Sequence, residues 1–356
     1  MIGNRIRYID AMRGFTMFLV VYSHVMFWTF RKTSLTGWSV SSLFATFRMP
    51  LFFFVSGFLM YKKNAFYNKQ SLGSFLRKKG RVQLIPTFFF SAAFLFIHQV
   101  SYKTFFLDGN KCGFWFTITL FYFFLLYGIG DYLIDKFTRN SRIKGLVGFL
   151  IAICVFGFAK YSVLDSCPWR ESKICDIIGI AHFRFFIFFY LGALVRANYG
   201  KLEHMMDSDV LSTLAVSGFI VLQMIIQPRF LQTWFLSTTI HHLLYTLLYA
   251  LAGFVGIVLI FILFRKNEAV ILRSRVGTFL QYVGQRTLDV YLIHTMFIYT
   301  DLHFVGRFLD RYNSIICDLL FGGSIAIVLV VLSLVISQII RSSDYLAKLL
   351  FGKVIR

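Results

Sequence analysis

Charge is scarce in this sequence: 15% of its 356 residues are Asp, Glu, Lys or Arg, where a water-soluble domain carries about 25%. Acidic residues are rarest, 16 against 37 Lys and Arg. The four prolines, Pro50, Pro86, Pro168 and Pro228, read as lying near the ends of apolar stretches or between them. No GxxxxGK[ST] occurs, which excludes a Walker-type nucleotide site, and no HExxH or GxSxG occurs, which removes two common hydrolytic motifs. The five cysteines include no CxxC pair, so no metal site is expected. Cys167 and Cys175 bracket the short segment "CPWRESKIC", and whether they are joined is left open by the sequence.

Apolar residues fill the space that charge vacates, at 58% of the chain, with 45 Phe. A membrane-crossing helix needs about 20 mostly apolar residues. Such windows recur at 12–30, 43–61, 84–100, 113–134, 144–161, 178–197, 210–227, 242–264, 279–299 and 315–340. The expected fold is therefore an all-α polytopic membrane protein of about ten transmembrane helices. One membrane-embedded domain spans 1–356, and no appended soluble domain is expected. The first window is longer than the ~7–15 apolar residues of a signal peptide and should stay in the membrane.

The net charge of +21 raises a nucleic-acid partner, but its distribution answers otherwise. Lys and Arg gather on alternate loops, densest at Lys62, Lys63, Lys69, Arg77, Lys78, Lys79 and Arg81. That is the positive-inside pattern. It predicts cytoplasmic N- and C-termini, contact with anionic membrane lipids and no nucleic-acid binding.

Ionisable residues inside spans are costly and usually face a protein interior or a water-filled path. Here they are Arg13, His24, Arg48, His182, Arg184, Arg286, Asp289 and His294. Arg13 and His24 are eleven residues apart, about three whole helical turns and a rise of about 16 Å, so they share one face at two depths. With the N-terminus inside, His24, Arg48, Arg184 and His294 converge on the outer half of the membrane, with Asp289 just below. Each residue also has a plainer reading. Arg13 can pair with Asp10 one turn away and snorkel; His24 and His294 can bridge helices; Arg48 can serve structural pairing; His182 and Arg184 can anchor at the interface; and Asp289 can neutralise Arg286.

The string "YIDAMRGFTMFLVVYSH" resembles the opening of the acyltransferase 3 family of integral-membrane O-acyltransferases, with its arginine, ten intervening residues and histidine. "FRMPLFFFVSGFLM" is similar to the family's second span, with Arg48 and the Ser56–Gly57 pair, and "LRKKGRVQLIP" to the basic stretch before the third. "GFWFTITLF", with Trp115, resembles the fourth span, "RFFIFFYLGAL", with Arg184, the sixth, and "TLDVYLIH" the ninth. Two departures stand out. Arg77 and Arg81 are four apart where the family has an RxxR pair, which Lys78 and Arg81 fit in spacing only. Asp289 occupies a position where glutamate is commoner.

The resemblance implies an acyl-CoA donor on the cytoplasmic side, in the first place acetyl-CoA. The acceptor it implies is a hydroxyl of a cell-envelope sugar, polysaccharide or lipid-linked intermediate, and the location a multi-pass bacterial inner-membrane protein. In that setting Arg13, Arg77, Lys78 and Arg81 suit the anionic phosphates of the donor. His24 suits a general base. Asp289 would orient His24 as a triad carboxylate does, and Arg48 would stabilise an oxyanion. Asp10, Ser56, Trp115, Arg184 and His294 are expected around the substrate or behind these groups. Direct transfer and an acyl-histidine intermediate both remain open. The competing reading is a transporter or lipid-linked-sugar flippase without catalysis, which intramembrane charges also suit. Such proteins often carry inverted repeats, and no half-to-half similarity is visible here.

Overall fold

The computed structural model describes residues 6–32, 40–62, 65–66, 68–138, 140–162, 167, 173–226, 238–298, 301–312 and 314–352. Among these residues there are helices and turns and no strand. In chain order the α-helices are α1 (Arg7–His24), α2 (Val40–Met60), α3 (Lys69–Ile97), α4 (Tyr102–Leu107), α5 (Trp115–Phe137) and α6 (Ser141–Tyr161). Then come α7 (Lys173–Ile178), α8 (Phe186–Ala197), α9 (Tyr199–Met206), α10 (Asp209–Ile226), α11 (Thr238–Lys266) and α12 (Glu268–Arg273). The last are α13 (Arg275–Gln285), α14 (Thr287–His294), α15 (His303–Tyr312), α16 (Ile315–Arg341) and α17 (Asp344–Phe351).

Every apolar window of the sequence is mainly helical in its described part, and among the described residues eight helices are long and apolar enough to cross a membrane. The two windows outside that set hold α1, and α13 with α14. A break at Arg286 (φ −117°, ψ 22°) divides the latter pair. The charge of Arg7, Asp10 and Arg13 sets α1 apart, and burial explains how it is tolerated. The crossing window of α6 is only 17% buried within the protein and must be apolar to meet lipid. Along α1, by contrast, Ile9, Ala11, Met12, Thr16, Met17, Val21 and Tyr22 have no accessible surface. A helix wrapped in protein tolerates Asp10 and Arg13; a helix in lipid does not.

Two expectations are corrected. The basic run around Arg77, Lys78 and Arg81 is not a loop. Asn68 and Ser71 form a reciprocal capping box that starts α3 at Lys69 and carries the helix through the basic residues. Pro50 and Pro86 lie inside α2 and α3 rather than at their ends. Each removes one backbone donor, so Pro50 leaves the Thr46 carbonyl without its usual partner one turn back. Pro168 and Pro228 lie outside the described residues. Cys167 and Cys175 are not joined in a disulfide.

The described chain divides into two compact units, Met1–Val55 with Asn198–Leu334, and Ser56–Ala197 with Val335–Arg356. In the first, α1 packs on α13 with no side chain between them. A Cβ on Gly14 would fall on the Leu280 carbonyl, and one on Gly284 on the Asp10 carbonyl, so the two backbones are in direct contact. Tyr8 shares a hydroxyl hydrogen bond of 2.7 Å with Tyr199 and meets Phe261 edge-on. Past α1, Lys32 donates to both oxygens of Asp318 at 2.6 and 2.7 Å, tying that segment to α16.

In the second unit, Gly57 of α2 lies against the backbone of Phe189 in α8. Phe123, Phe186 and Phe189 form an aromatic core between α5 and α8. Thr87 and Thr117 join α3 and α5 through a 2.8 Å hydrogen bond. The Lys144 ammonium of α6 lies 3.1 and 3.0 Å from Asp131 and Asp135 of α5, and α17 docks on α3 with Phe351 stacked on Phe90.

Candidate active site

The polar residues of the first unit are organised by the contact between α1 and α13. Arg13 precedes Gly14, and Thr287 follows Gly284 by three residues, so the backbone approach brings the first turn of α14 within reach of the arginine. Arg13 Nη2 donates to Thr287 Oγ1 at 2.7 Å. Asp10 and Asp289 are 5% and 2% exposed, which makes both interior carboxylates and not surface partners of a snorkelling chain. Arg286 lays its guanidinium 3.9 Å from the centre of the Tyr282 ring and makes no ion pair with Asp289.

Eleven residues on, α1 ends at His24 and the chain enters a π-helical turn, Val25–Thr29. Such turns recur at functional sites because they re-aim side chains that a regular helix would space evenly. This one is pinned by Thr29, whose hydroxyl donates to the Ile298 carbonyl at 2.7 Å and whose carbonyl accepts from Leu302 N. His24 Nδ1 lies 3.0 Å from His294 Nε2, the rings within 9° of parallel and their centroids 5.2 Å apart. An in-line hydrogen bond of that length between two five-membered rings sets their centroids about 5.3 Å apart. The rings therefore meet edge to edge in nearly one plane, not face to face.

The protonation pattern follows from the partners. His294 Nδ1 lies 2.8 Å from the Val290 carbonyl, which can only accept, so Nδ1 carries the hydrogen. In the neutral ring Nε2 is then bare and accepts from His24 Nδ1–H. His24 is left with an unprotonated Nε2 that has no hydrogen-bond partner among the described residues. The ring of His24 is partly accessible, whereas His294 is fully buried.

The expected orienting residue is thus corrected: the group bonded to His24 is His294, not Asp289. Asp289 precedes His294 by five residues, which places it about 140° around α14 and about 7.5 Å along it. Both residues cannot face His24 at one level. Arg13–Thr287 and His24–His294 also show that α1 and α14 run in the same direction. Thr287 and His294 are about 10.5 Å apart along the axis, and the long arginine side chain takes up the difference from α1.

Arg48, on α2, is near enough to His24 for its charge to act on that ring. Tyr249 of α11 acts on the guanidinium in turn. Among the described residues Arg48 has no carboxylate partner and no hydrogen bond. That leaves its donors available, which does not fit purely structural pairing.

Other residues singled out in the sequence belong to the second unit. Arg77, Lys78 and Arg81 form an exposed basic face on the first half of α3. Trp115 stacks on His182 with ring centres 3.9 Å apart, and His182 Nε2 donates to the Gly109 carbonyl at 3.2 Å. Arg184 lies over Phe185. Nearby, Lys111, Cys112 and Gly113 are consecutive left-handed residues (φ 50°, 50° and 96°). The buried Lys111 ammonium holds that turn by donating to the carbonyls of Phe106, Asp108 and Asp176. Burial pushes the Lys111 pKa down, against the pull of Asp108 and Asp176. Burial and Asp108 push the Cys112 thiol up. Ser56 opens this unit on α2.

Sequence reasoning missed Thr287 as the partner of Arg13 and the direct bond from His294 to His24. The signal for both was present: "TLDVYLIH" holds Thr287 and His294 seven residues apart, two turns of one face.

The first unit thus presents, from one buried helix, a basic residue at one depth and an unprotonated histidine nitrogen at another, beside Arg48, which has no counter-ion among the described residues. The acyltransferase 3 family profile, described as an acyltransferase domain, matches residues 6–341. The chain belongs to that family. No curated protein and no solved structure matches it.

Proposed function

We propose that this membrane acyltransferase moves an acyl group, in the first place acetyl, from cytoplasmic acyl-CoA to a hydroxyl of a cell-envelope sugar or lipid-linked glycan in a bacterial inner membrane. The observation that carries the reading is the bare Nε2 of the partly accessible His24 beside Arg48, which has no carboxylate partner among the described residues. A general base needs a lone pair held towards the substrate at neutral pH. A thioester under attack needs a fixed positive group for the oxygen that becomes anionic, and such a group acts most strongly where water is scarce. Arg13, at the other end of α1, suits a donor phosphate.

In this reaction His24 Nε2 takes the acceptor hydroxyl proton as the oxygen attacks the thioester carbon. Arg48 stabilises the oxyanion, the carbon–sulfur bond breaks, and the proton leaves on the CoA sulfur.

The test is acetyl-CoA binding and release of CoA thiol by the detergent-purified protein, with extracted envelope polysaccharide as acceptor, for wild type, Arg13→Ala and His24→Ala. Arg13→Ala should weaken donor binding. His24→Ala should bind the donor and release no thiol. A wild type that neither binds nor turns over acetyl-CoA or longer acyl-CoAs would overturn the assignment and leave the polar residues to be explained as a transport path.

A further inference from the structure

On the acyltransfer reading of the site, we infer that Phe27 and Trp28, with Arg31, Asp301 and His303, form the bed for an uncharged sugar ring of the acceptor. The bed presents that ring's hydroxyl to His24. Three and four residues past His24, the two aromatic residues are its neighbours on one helix face. The π-helical turn turns them outward: Phe27 is 57% and Trp28 40% exposed, while Val25, Met26, Thr29 and Phe30 are at most 2%. Their rings meet edge-on, with centres 5.1 Å apart and planes at 83°, so each stiffens the other.

The far end of this strip is polar. Arg31 Nη2 lies 3.8 Å from Asp301 Oδ2, and His303 Nδ1 lies 2.8 Å from Asp301 Oδ1. Leu302, between Asp301 and His303, donates its backbone N–H to the Thr29 carbonyl at 3.1 Å, which fixes the trio beside Trp28. Gly306 closes the same seam, since a Cβ there would fall on the Phe30 carbonyl. Arg31 leaves the turn through a left-handed backbone (φ 50°), which is uncommon for a residue with a side chain.

The surroundings distinguish a ligand bed from an aromatic belt facing lipid. The side chains of Arg31, Asp301 and His303 are 66%, 48% and 48% exposed. Charged groups that open lie in water and not in hydrocarbon. The bond from Leu302 to Thr29 puts Trp28 at the same level. At its other end the strip stops at His24, where the acceptor must react. Large aromatic rings left open between a base and a polar rim are an apolar patch of the kind that marks a binding site. A sugar ring fits both parts of it. Its C–H groups are slightly positive and seat on the negative face of an aromatic ring. Asp301 accepts from its hydroxyls, the Arg31 guanidinium donates to them, and His303 can do either. Arg31 and Asp301 cancel in charge, which suits a neutral sugar better than a sugar acid.

The experiment reads acceptor and donor separately. Thiol release from acetyl-CoA, with extracted envelope polysaccharide as acceptor, is followed for wild type, Phe27→Ala, Trp28→Ala and Trp28→Phe. Each alanine variant should raise the acceptor KM about tenfold, the scale of losing one aromatic anchor. Its kcat and donor Kd should stay within about twofold of wild type, and its thermal midpoint should not fall. Trp28→Phe should bring the acceptor KM back to within about threefold, because a ring face remains. Reducing the carboxyl groups of the polysaccharide to alcohols should leave the wild-type KM within about threefold; a tenfold rise overturns the neutral-sugar assignment. In lipid nanodiscs the fluorescence of Trp28, taken as wild type minus Trp28→Phe, should respond to the polysaccharide. Quenching of that signal by brominated lipid overturns the bed and leaves a lipid-facing belt, and alanine variants with unchanged acceptor KM overturn it as well. A wild type whose Trp28 responds to the polysaccharide but which releases no thiol from any acyl-CoA overturns the acyltransfer reading and leaves the sugar bed standing.

Discussion

Replacing Gly284 with alanine tests whether the backbone contact between α1 and α13 sets the site. The new Cβ would lie 2.7 Å from the Asp10 carbonyl carbon and 3.1 Å from the Gly14 nitrogen. Carbon atoms in contact prefer about 3.5–4.0 Å, so the helices must part by about 1 Å. The obstacle is main chain in a helix buried on every side, which has no rotamer to change. Overpacking of this kind costs about 1–3 kcal/mol, and here the upper end applies. The 2.7 Å bond from Arg13 to Thr287 crosses the same seam three residues away, and opening the seam stretches it beyond hydrogen-bond range. Thermal unfolding in detergent should show a lower midpoint, and acetyl-CoA titration a weaker Kd. Gly14→Ala should behave alike, and the double variant should cost less than the sum, because the first separation makes room for the second. Gly200, on α9, has nothing within 4 Å of its missing Cβ, so Gly200→Ala is the control and should stabilise slightly. A Gly284→Ala protein as stable as wild type, with unchanged donor affinity, would refute the reasoning.

Arg48→Met should lower kcat for thiol release about 100-fold or more while leaving donor Kd unchanged, as loss of an oxyanion donor does; undiminished turnover would remove Arg48 from the chemistry. Lys32→Ala should destabilise the fold by about 3–5 kcal/mol, because it strands Asp318, which is 2% exposed. The paired change Lys32→Met with Asp318→Leu should cost much less, as read by denaturation midpoints. The His303 ring and backbone, both hydrogen-bonded to Asp301, hold that carboxyl below its ordinary range. A depressed carboxyl pKa contributes above its unfolded value of about 3.9 and is lost as pH falls through the folded value. His303→Ala should move the Asp301 titration upward in carbon-13 NMR, and an unmoved titration would contradict the contact.

The helical windows were legible because a lipid-facing helix must be apolar along its length, and α6 or α16 announces itself that way. The environment of α1 was not legible in the same signal, since hydropathy records what a helix can tolerate and not what encloses it. The glycines that enclose it, Gly14 and Gly284, lie 270 positions apart and carry no local mark of being partners. The start of α3 was written in Asn68 and Ser71, but the density of charge after them reads as loop unless the cap is noticed first. At the site, His24, Arg48 and Arg13 stood out because ionisable groups are rare in apolar windows. The choice between Asp289 and His294 depended on the phase of α14, and the break at Arg286 resets that phase.

The first unit closes over a long sequence interval: Arg13 and Thr287 are 274 residues apart, as are the positions that carry the opposite edge of the seam. During synthesis at about 5–20 residues per second, α1 waits roughly a quarter of a minute to a minute for α13 and α14 to emerge. Throughout that wait a helix bearing Asp10, Arg13 and His24 lacks Thr287 and His294, the hydrogen-bond partners of Arg13 and His24. The growing chain therefore needs a temporary host for α1, either the insertion machinery or the helices made soon after it. Assembly of the His24–His294 pair becomes one of the last events in the folding of the first unit.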